Sequence, residues 1–175
     1  METKEKTLTS FLSKNEKILS SVERKTMIDK GLLLVEKKQS TLPGTGDGLF
    51  AKVDLPQYSL IPYLGEFIDG KAVQECKKVG SPRDSYICYN EDDIHYDGYN
   101  FLSVANAAHA NHVFTLLDLA REEGLRKQNG ALQFSMKYCM WMLITQRKIS
   151  AGEEIFVNYG RGYFLARPEL NEVKQ

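Results

Sequence analysis

Short apolar runs separated by turn residues dominate the chain from Leu32 onward. The runs are LLLVEKKQS, PGTGDGLFAKV, SLIPYLGEFI, SYICYN and HYDGYNFLSV. Short runs bounded by glycine, proline, asparagine and aspartate are typical of β-strands joined by irregular connections. The pattern predicts a β-rich (α+β) fold of short strands in small sheets.

The stretch ALQFSMKYCMWMLITQRKI is the most apolar part of the chain. It predicts one or two buried core strands, in which Trp141 and the methionines around it serve packing. The preceding segment HVFTLLDLAREEGLRKQNG begins with strand-like residues and continues with charged ones. We expect it to begin as a strand and to end as a helical turn.

Residues 1–30 have a different pattern, in which apolar side chains recur among lysines and glutamates. Their spacing fits one or two short amphipathic helices. The apolar positions are Leu8, Phe11, Leu12, Ile18, Leu19 and Val22. Since 175 residues suit a single domain, we expect a helical extension over 1–30, one domain over 31–166 and a C-terminal tail over 167–175.

Composition and charge exclude several classes of function. The formal net charge is +0, from 23 basic and 23 acidic side chains, so no global field attracts the chain to a nucleic-acid backbone. No apolar run reaches the ~18 residues that span a bilayer, and the start METKEKTLTS lacks the apolar stretch of a secretory signal. We expect an intracellular protein without direct contact to nucleic acid or membrane.

The cysteines and histidines do not form a recognisable metal motif. The three cysteines are widely spaced, and we expect all of them to be reduced and structural. The three histidines lie closer together, but zinc would need further ligands at suitable spacing. These residues are Cys76, Cys88, Cys139, His95, His109 and His112. We predict no metal site.

The segment GTGDGLFA, residues 44–51, has a glycine at every second position of its first half. Glycines leave main-chain N–H and C=O groups bare, so that a ligand can lie against them. The phosphate-binding P-loop pattern fails because no Lys-Ser or Lys-Thr follows, and the dinucleotide pattern fails because the third glycine is misplaced. A glycine-rich hairpin turn and a ligand-binding loop both remain open.

Four pieces of the chain follow one another in a characteristic order. GTGDGLFA is followed by Tyr63-Leu64-Gly65-Glu66, then by Asn106 within VANAAHAN, and finally by GEEIFVNYG at 152–160. Their order and spacing resemble the SET-domain family of protein lysine methyltransferases over roughly residues 32–165. The resemblance implies a knot-like β fold, in which S-adenosylmethionine and a substrate lysine enter from opposite faces and meet in a narrow channel.

The resemblance also implies a cofactor site. By analogy, the main chain of Thr45, Gly46 and Asp47 holds the methionine end of S-adenosylmethionine. Asn106 and the main chain of Ala107 hold its amino end and its adenine.

The same resemblance implies a lysine channel. Tyr159 matches the catalytic tyrosine of the family, and Tyr86 matches a position where cofactor and lysine meet. Tyr163 and Phe164 stand where family members place aromatics that close over the lysine or the adenine. Val157 replaces an aromatic that limits the number of methyl groups, so its smaller side chain leaves space for more than one methyl per lysine.

The chain departs from the family pattern in one segment. Asn106-Ala107-Ala108-His109 stands where most members carry Asn-His-Ser-Cys, and Ser103 lies nearest to the position of the usual preceding arginine. This form is similar to the PR-type subgroup, which has active and inactive members. Two functions are therefore expected as alternatives: a lysine methyltransferase acting on a histone tail in chromatin or on another protein, or a catalytically inactive SET-like protein-interaction module. A histone substrate implies the nucleus, and another substrate the cytoplasm.

Overall fold

The structure is a computed structural model that describes residues 20–42, 44–77, 81–89, 95–112 and 127–159. The strands in these ranges are β1 Val35–Gln39, β2 Asp47–Ala51, β3 Leu60–Pro62, β4 Glu66–Ile68, β5 Ile87–Tyr89, β6 His95–Asp97, β7 Asn111–His112, β8 Gly130–Ser135, β9 Met140–Thr145 and β10 Glu154–Val157. The α-helices are α1 Ser21–Leu32 and α2 Gly70–Lys77, and 3₁₀ turns cover Pro82–Tyr86, Tyr99–Phe101 and Ala107–His109. The predicted β-rich fold of short strands is confirmed.

The described strands form three small sheets. Their orders are β1-β2-β10-β7, β3-β9-β8 and β4-β6-β5. In the four-stranded sheet, β10 runs antiparallel to β2, with Ile155 opposite Leu49, and parallel to β7, with Val157 opposite His112. Strand β10 therefore places the C-terminal motif between the glycine-rich segment and the residues that follow Asn106.

Aliphatic side chains from all of the longer strands form one core. Leu49, Ile61, Leu143, Ile155 and Val157 have no solvent exposure. Burying a side chain of this size contributes about 1.5–3 kcal/mol to the free energy of unfolding. This core fixes the relative positions of the sheets that carry the sequence motifs.

The predicted core strands in the most apolar stretch are also confirmed. Strands β8 and β9 pair from Gly130 opposite Thr145 to Ser135 opposite Met140, and β3 pairs with the other edge of β9. The Trp141 ring packs edge to face on Phe134, with ring centroids 6.1 Å apart. Trp141 thus serves packing, as the sequence predicts.

Helix α1 begins with a capping box. The Ser20 hydroxyl accepts a hydrogen bond from the Glu23 main-chain N–H, and the Glu23 carboxylate accepts one from the Ser20 N–H. At its other end, a Cβ on Gly31 would lie 2.5 Å from Pro62 Cδ, so the helix rests directly on β3. Val22, expected on the apolar face, is 72% exposed. Residues 1–19 lie outside the described residues, and the predicted domain boundaries remain predictions.

Helix α2 is absent from the sequence prediction. The Asp69 side chain accepts a hydrogen bond from the Ala72 N–H at 2.8 Å and so caps the first turn. Val73 and Cys76, three residues apart, are both buried. An eight-residue helix with two core contacts carries too little periodicity to stand out from the turn signals around it.

The segment HYDGYNFLSV, expected to be a strand, is one only over β6. The Asp97 carboxylate accepts a hydrogen bond from the Tyr99 N–H at 2.9 Å, and the chain then enters a 3₁₀ turn. A Cβ on Gly98 would lie 2.5 Å from Tyr63 Cε1, so only glycine fits there. The strand ends because Asp97 and Gly98 turn the chain around the Tyr63 ring.

Candidate cofactor and substrate site

The hairpin between β1 and β2 presents bare main chain to solvent. Gly44 and Gly46 have φ angles of +78° and +75°, which L side chains rarely adopt. A Cβ at either position would meet no atom within 4 Å, so the space beside this main chain is open. Thr45, Gly46 and Asp47 are all exposed. The hairpin thus has open space beside exposed main chain, and the predicted contact of Thr45, Gly46 and Asp47 with S-adenosylmethionine remains a prediction.

Hydrogen bonds within the protein already use some of these polar groups. The Gly46 carbonyl accepts from the Ser40 N–H at 2.9 Å and from Gln39 Nε2 at 2.8 Å. The Asp47 carbonyl accepts from Asn111 Nδ2 at 3.1 Å. These bonds fix the path of the hairpin and leave other main-chain groups of Thr45, Gly46 and Asp47 for a ligand.

The Asn106 side chain is completely buried and uses its full hydrogen-bonding capacity. Its oxygen accepts from the Ala108 N–H at 2.9 Å and from the Leu64 N–H at 3.3 Å. Its nitrogen donates to the Phe101 carbonyl at 3.1 Å and to the Val104 carbonyl at 2.9 Å. These bonds hold the segment of Asn106 in place, and its predicted cofactor contact remains a prediction.

The 3₁₀ turn after Asn106 places small side chains next to the glycine-rich strand. Ala107 and Ala108 are 1% and 7% exposed, and the Ala107 carbonyl accepts from the Ala110 N–H at 3.1 Å. The His109 ring lies against the Leu102 carbonyl, with Nε2 3.1 Å from the oxygen. Burial, helped by the Lys37 ammonium, lowers the pKa of His109 from its ordinary value of 6.5. We infer that the ring is neutral near pH 7 and that Nε2–H donates to Leu102.

This lowered pKa predicts a pH-dependent stability. The unfolded chain takes up a proton on His109 at a higher pH than the folded chain, so the stabilisation is complete above about pH 6.5 and declines as the pH falls below it. His109→Gln keeps an N–H donor and removes the titration. We expect urea unfolding to show a smaller loss of stability between about pH 7.5 and about pH 5.5 in this variant than in the wild type. Equal losses in both proteins would contradict the inference.

Tyr159 follows β10 by two residues and points back across the sheet. Its hydroxyl donates to the Ala110 carbonyl at 2.9 Å, and Ala110 is 1% exposed and directly precedes β7. This bond fixes the direction of the phenol proton. The lone pairs of the phenol oxygen are directed away from Ala110.

Tyr63 is buried and Cys88 is half-buried near Tyr159, and sequence reasoning did not assign either of them to the site. The Tyr63 hydroxyl donates to the Tyr86 carbonyl at 2.8 Å. Burial, with smaller contributions from Cys88 and Tyr159, raises the pKa of Tyr63 well above 10.0. Burial also raises the pKa of the Cys88 thiol to about 12. Both groups are neutral at physiological pH. Tyr63 belongs to the Tyr63-Leu64-Gly65-Glu66 motif, which does not by itself predict a contact with Tyr86.

An ion pair anchors the turn that carries Tyr86. The Arg83 guanidinium donates from Nε to the Asp97 carboxylate, which is 1% exposed. Arg83 also lies 3.7 Å from a Glu66 carboxylate oxygen. The hydrogen bond to Asp97 raises the pKa of Arg83. The Tyr86 ring packs at 5.9 Å from the Tyr99 ring, so the turn presents an aromatic surface beside Tyr63.

The remaining predicted site residues are only partly described. Val157 is fully buried in β10, within the same core as Ile155, and its predicted place in a lysine channel remains a prediction. Tyr163 and Phe164 lie outside the described residues. The three cysteines are free thiols. Among the described residues, no cluster of three or more His, Cys, Asp or Glu side chains has metal-binding geometry, and no helix is long and apolar enough to cross a membrane.

Comparison with solved structures identifies similar folds. One is ctPRC2 in an autoinhibited conformation bound to S-adenosylmethionine, with 24% sequence identity and a TM-score of 0.50. Another is a humanized mutant of the Chaetomium thermophilum Polycomb Repressive Complex 2 bound to the inhibitor GSK126, with 22% identity and a TM-score of 0.50. Each match covers 72% of this chain and 15% of the other chain. These likenesses show the fold.

Comparison at the level of sequence identifies the family. No curated protein matches the chain. The SET domain family matches residues 46–160, which begin at Gly46 of the glycine-rich segment and include Asn106 and Tyr159. The predicted SET-type fold is therefore confirmed, and since the match covers more than half of the sequence, the chain belongs to the SET domain family.

Proposed function

We propose that the protein is an S-adenosylmethionine-dependent lysine N-methyltransferase that acts on a histone tail or another protein. The observation that carries the proposal is the position of Tyr159. Strand β10 pairs with the glycine-rich strand on one side and with β7 on the other, and Tyr159 is held by a hydrogen bond to Ala110. The strand that pairs with the glycine-rich strand thus leads directly to a phenol whose hydroxyl has a fixed orientation.

The chemistry requires alignment and dipoles rather than a strong base or a metal. When bound, S-adenosylmethionine supplies a methyl group on a positively charged sulfur, and its transfer to an amine creates no anion. Oxygen lone pairs aimed at the methyl group stabilise its positive charge. Because the Tyr159 proton is directed to Ala110, its lone pairs suit this role. The open main chain at Gly46 suits the binding of the cofactor's methionine end.

The attacking lysine must be neutral, and the surroundings of Tyr63 favour this state. Tyr63 and Cys88 keep their protons, because burial raises the pKa of both. Neither residue therefore supplies a negative charge that would stabilise the protonated lysine. Desolvation against the aromatic rings of Tyr86 and Tyr99 lowers the pKa of a lysine placed there. We propose that the substrate lysine enters on this side, opposite to the hairpin.

Four finer proposals belong to the same function. Val157 in place of an aromatic supports the transfer of more than one methyl group. The segment Asn106-Ala107-Ala108-His109 supports placement near the PR-type subgroup. The protein acts in the nucleus if its substrate is a histone and in the cytoplasm otherwise. The proposed catalytic unit spans residues 31–166.

A SET-like interaction module without catalytic activity is the second candidate. The observation that favours it is internal hydrogen bonding at the predicted cofactor site. The Asn106 side chain is saturated, and the Gly46 and Ala107 carbonyls accept hydrogen bonds within the protein. Fewer polar groups therefore remain for a cofactor in this chain than its motifs suggest.

Cofactor binding and methyl transfer distinguish the two candidates. We expect S-adenosylmethionine at about 100 times its Kd to stabilise the protein by about 2.7 kcal/mol, which raises Tm by about 5–10 °C. We also expect transfer of a labelled methyl group to lysine in a mixture of histones and lysate proteins. No thermal shift at saturating cofactor together with no label would contradict the methyltransferase and favour the module.

A further inference from the structure

Glu154 is a buried carboxylate at the beginning of β10. Only 5% of its surface is exposed, yet the core around β10 is apolar, with Ile155 and Val157 fully buried. A carboxylate in such a place requires several hydrogen-bond donors to offset its desolvation. The donors of Glu154 come from the glycine-rich hairpin and from Asn111.

One oxygen of Glu154 accepts from the Ser40 hydroxyl at 2.6 Å and lies 3.5 Å from Asn111 Nδ2. The other oxygen accepts from the Thr41 N–H at 2.8 Å and from the Thr41 hydroxyl at 2.5 Å. Asn111 Nδ2 also donates to the Asp47 carbonyl at 3.1 Å. The Glu154 carboxylate thus holds the arm of the hairpin before Gly46, at Ser40 and Thr41, and Asn111 holds the arm after it, at Asp47.

Gly48 makes this arrangement possible. A Cβ on Gly48 would overlap Glu154 Oε1 and would also lie 3.2 Å from Ser40 Cβ. Gly44 and Gly46 differ from it, because they have positive φ angles and open space around them. The three glycines of GTGDG therefore have two roles: the first two turn the chain, and the third admits the Glu154 carboxylate.

We propose that Glu154 is a positioning residue for cofactor binding. It holds the hairpin at residues 40–42 and 44–47 in its binding conformation and ties it to the strand that leads to Tyr159. This inference rests on the proposed function, because it assigns the hairpin to S-adenosylmethionine. Glu154 acts through the hairpin and does not touch the cofactor. A loop held in its bound conformation before the ligand arrives binds that ligand more tightly.

Glu154→Gln tests the proposal, and Glu153→Gln is its matched control. Glutamine keeps the size of the side chain but replaces one acceptor oxygen by an NH₂ group. This group is a donor and faces the donors of Ser40 or Thr41, so hydrogen bonds at that position are lost. Glu153 is the neighbouring carboxylate, and it binds Arg147 and the Ser150 N–H instead of the hairpin. Both variants lose one carboxylate, but only one of them loses contacts to the hairpin.

Calorimetric titration with S-adenosylmethionine gives the first measurement. We expect Kd to rise about tenfold or more in Glu154→Gln, the order of effect for losing a charged hydrogen-bond network, and to stay near the wild-type value in Glu153→Gln. In the transfer assay, we expect KM for the cofactor to rise in parallel, with kcat at saturating cofactor within about twofold of the wild type. A purely structural role would instead lower the active fraction, and with it the apparent kcat, at an unchanged KM.

Amide hydrogen exchange without cofactor gives the second measurement. We expect faster exchange over residues 40–48 in Glu154→Gln and unchanged exchange there in Glu153→Gln. Thr41→Val removes one donor and leaves Glu154 in place, so it replaces Glu154→Gln as the test if that variant does not fold. We expect the same changes in Kd and in exchange, but smaller ones. Equal Kd and equal exchange in wild type, Glu154→Gln and Thr41→Val would overturn the proposal.

The two measurements separate this proposal from the proposed function. If the wild type binds no S-adenosylmethionine, the proposed function is wrong, and the assignment of the hairpin to the cofactor fails with it. If the wild type binds and the Glu154→Gln variant binds equally well, the function stands and only the role of Glu154 is wrong.

Discussion

Replacing Asn106 by alanine is expected to destabilise the fold by about 3–5 kcal/mol. The side chain makes four hydrogen bonds to the main chain, and it has no solvent exposure. Alanine removes one hydrogen-bond partner from the Leu64 and Ala108 N–H groups and from the Phe101 and Val104 carbonyls, of which the Phe101 carbonyl keeps a bond from the Val104 N–H. Each such group costs about 1–3 kcal/mol, less where the chain relaxes or water enters. Urea unfolding measures the difference directly.

Asn100→Ala is the matched control for this prediction. Asn100 is an exposed asparagine in the same region, and its side chain donates to Glu66 at 3.2 Å. Its loss should change the free energy of unfolding by about 0.5 kcal/mol or less. A loss below about 1 kcal/mol in Asn106→Ala would mean that water replaces the four bonds. In that case Asn106 would be free to serve a cofactor with its side chain.

The role of Asn106 shows what a motif in the sequence leaves open. Its position in the series of motifs predicts a contact with the cofactor. The structure shows a second role, because all four hydrogen bonds of its side chain go to main-chain groups of the protein. One of these groups is the N–H of Leu64, 42 residues earlier in the chain. No local pattern contains such a contact, because it forms only when the sheets have packed.

The glycine-rich segment shows the same limit. The spacing of its glycines is compatible with a turn and with a ligand-binding loop, and composition alone does not choose between them. Gly44 and Gly46 follow the rule for turns that require positive φ, which is local. The need for glycine at position 48 depends on Glu154, a residue more than a hundred positions away, and is visible only in three dimensions.

The fold is predicted better where the signal is local and strong. The apolar stretch that forms β8 and β9 is long enough, and rich enough in large side chains, to indicate core strands from sequence. Helix α2 has eight residues. It depends on the N-terminal cap that Asp69 provides and on the buried contacts of Val73 and Cys76. The end of β6 depends on the Tyr63 ring. Tertiary contacts decide both features, so the sequence alone does not reveal them.

Replacing Tyr159 by phenylalanine is expected to lower the rate of methyl transfer about 100-fold or more. The variant keeps the ring and its packing but removes the oxygen that the hydrogen bond to Ala110 holds in place. Since the oxygen acts on the charge of the methyl group during transfer, its loss should lower kcat and leave the Kd of S-adenosylmethionine within about threefold. Transfer of labelled methyl at saturating cofactor, together with calorimetric titration, measures both quantities.

Tyr58→Phe and Tyr63→Phe show whether the effect belongs to Tyr159. Tyr58 is 70% exposed and lies in a turn outside the site, so its variant should retain full activity. Tyr63 donates its proton to Tyr86, and its loss should loosen the turn of Tyr86 with a smaller decrease in rate. If Tyr159→Phe retains more than half of the wild-type rate, the phenol oxygen does not act on the methyl group. If Tyr63→Phe abolishes transfer and Tyr159→Phe does not, the catalytic hydroxyl is that of Tyr63. The motif that contains Tyr159 would then only position the strand.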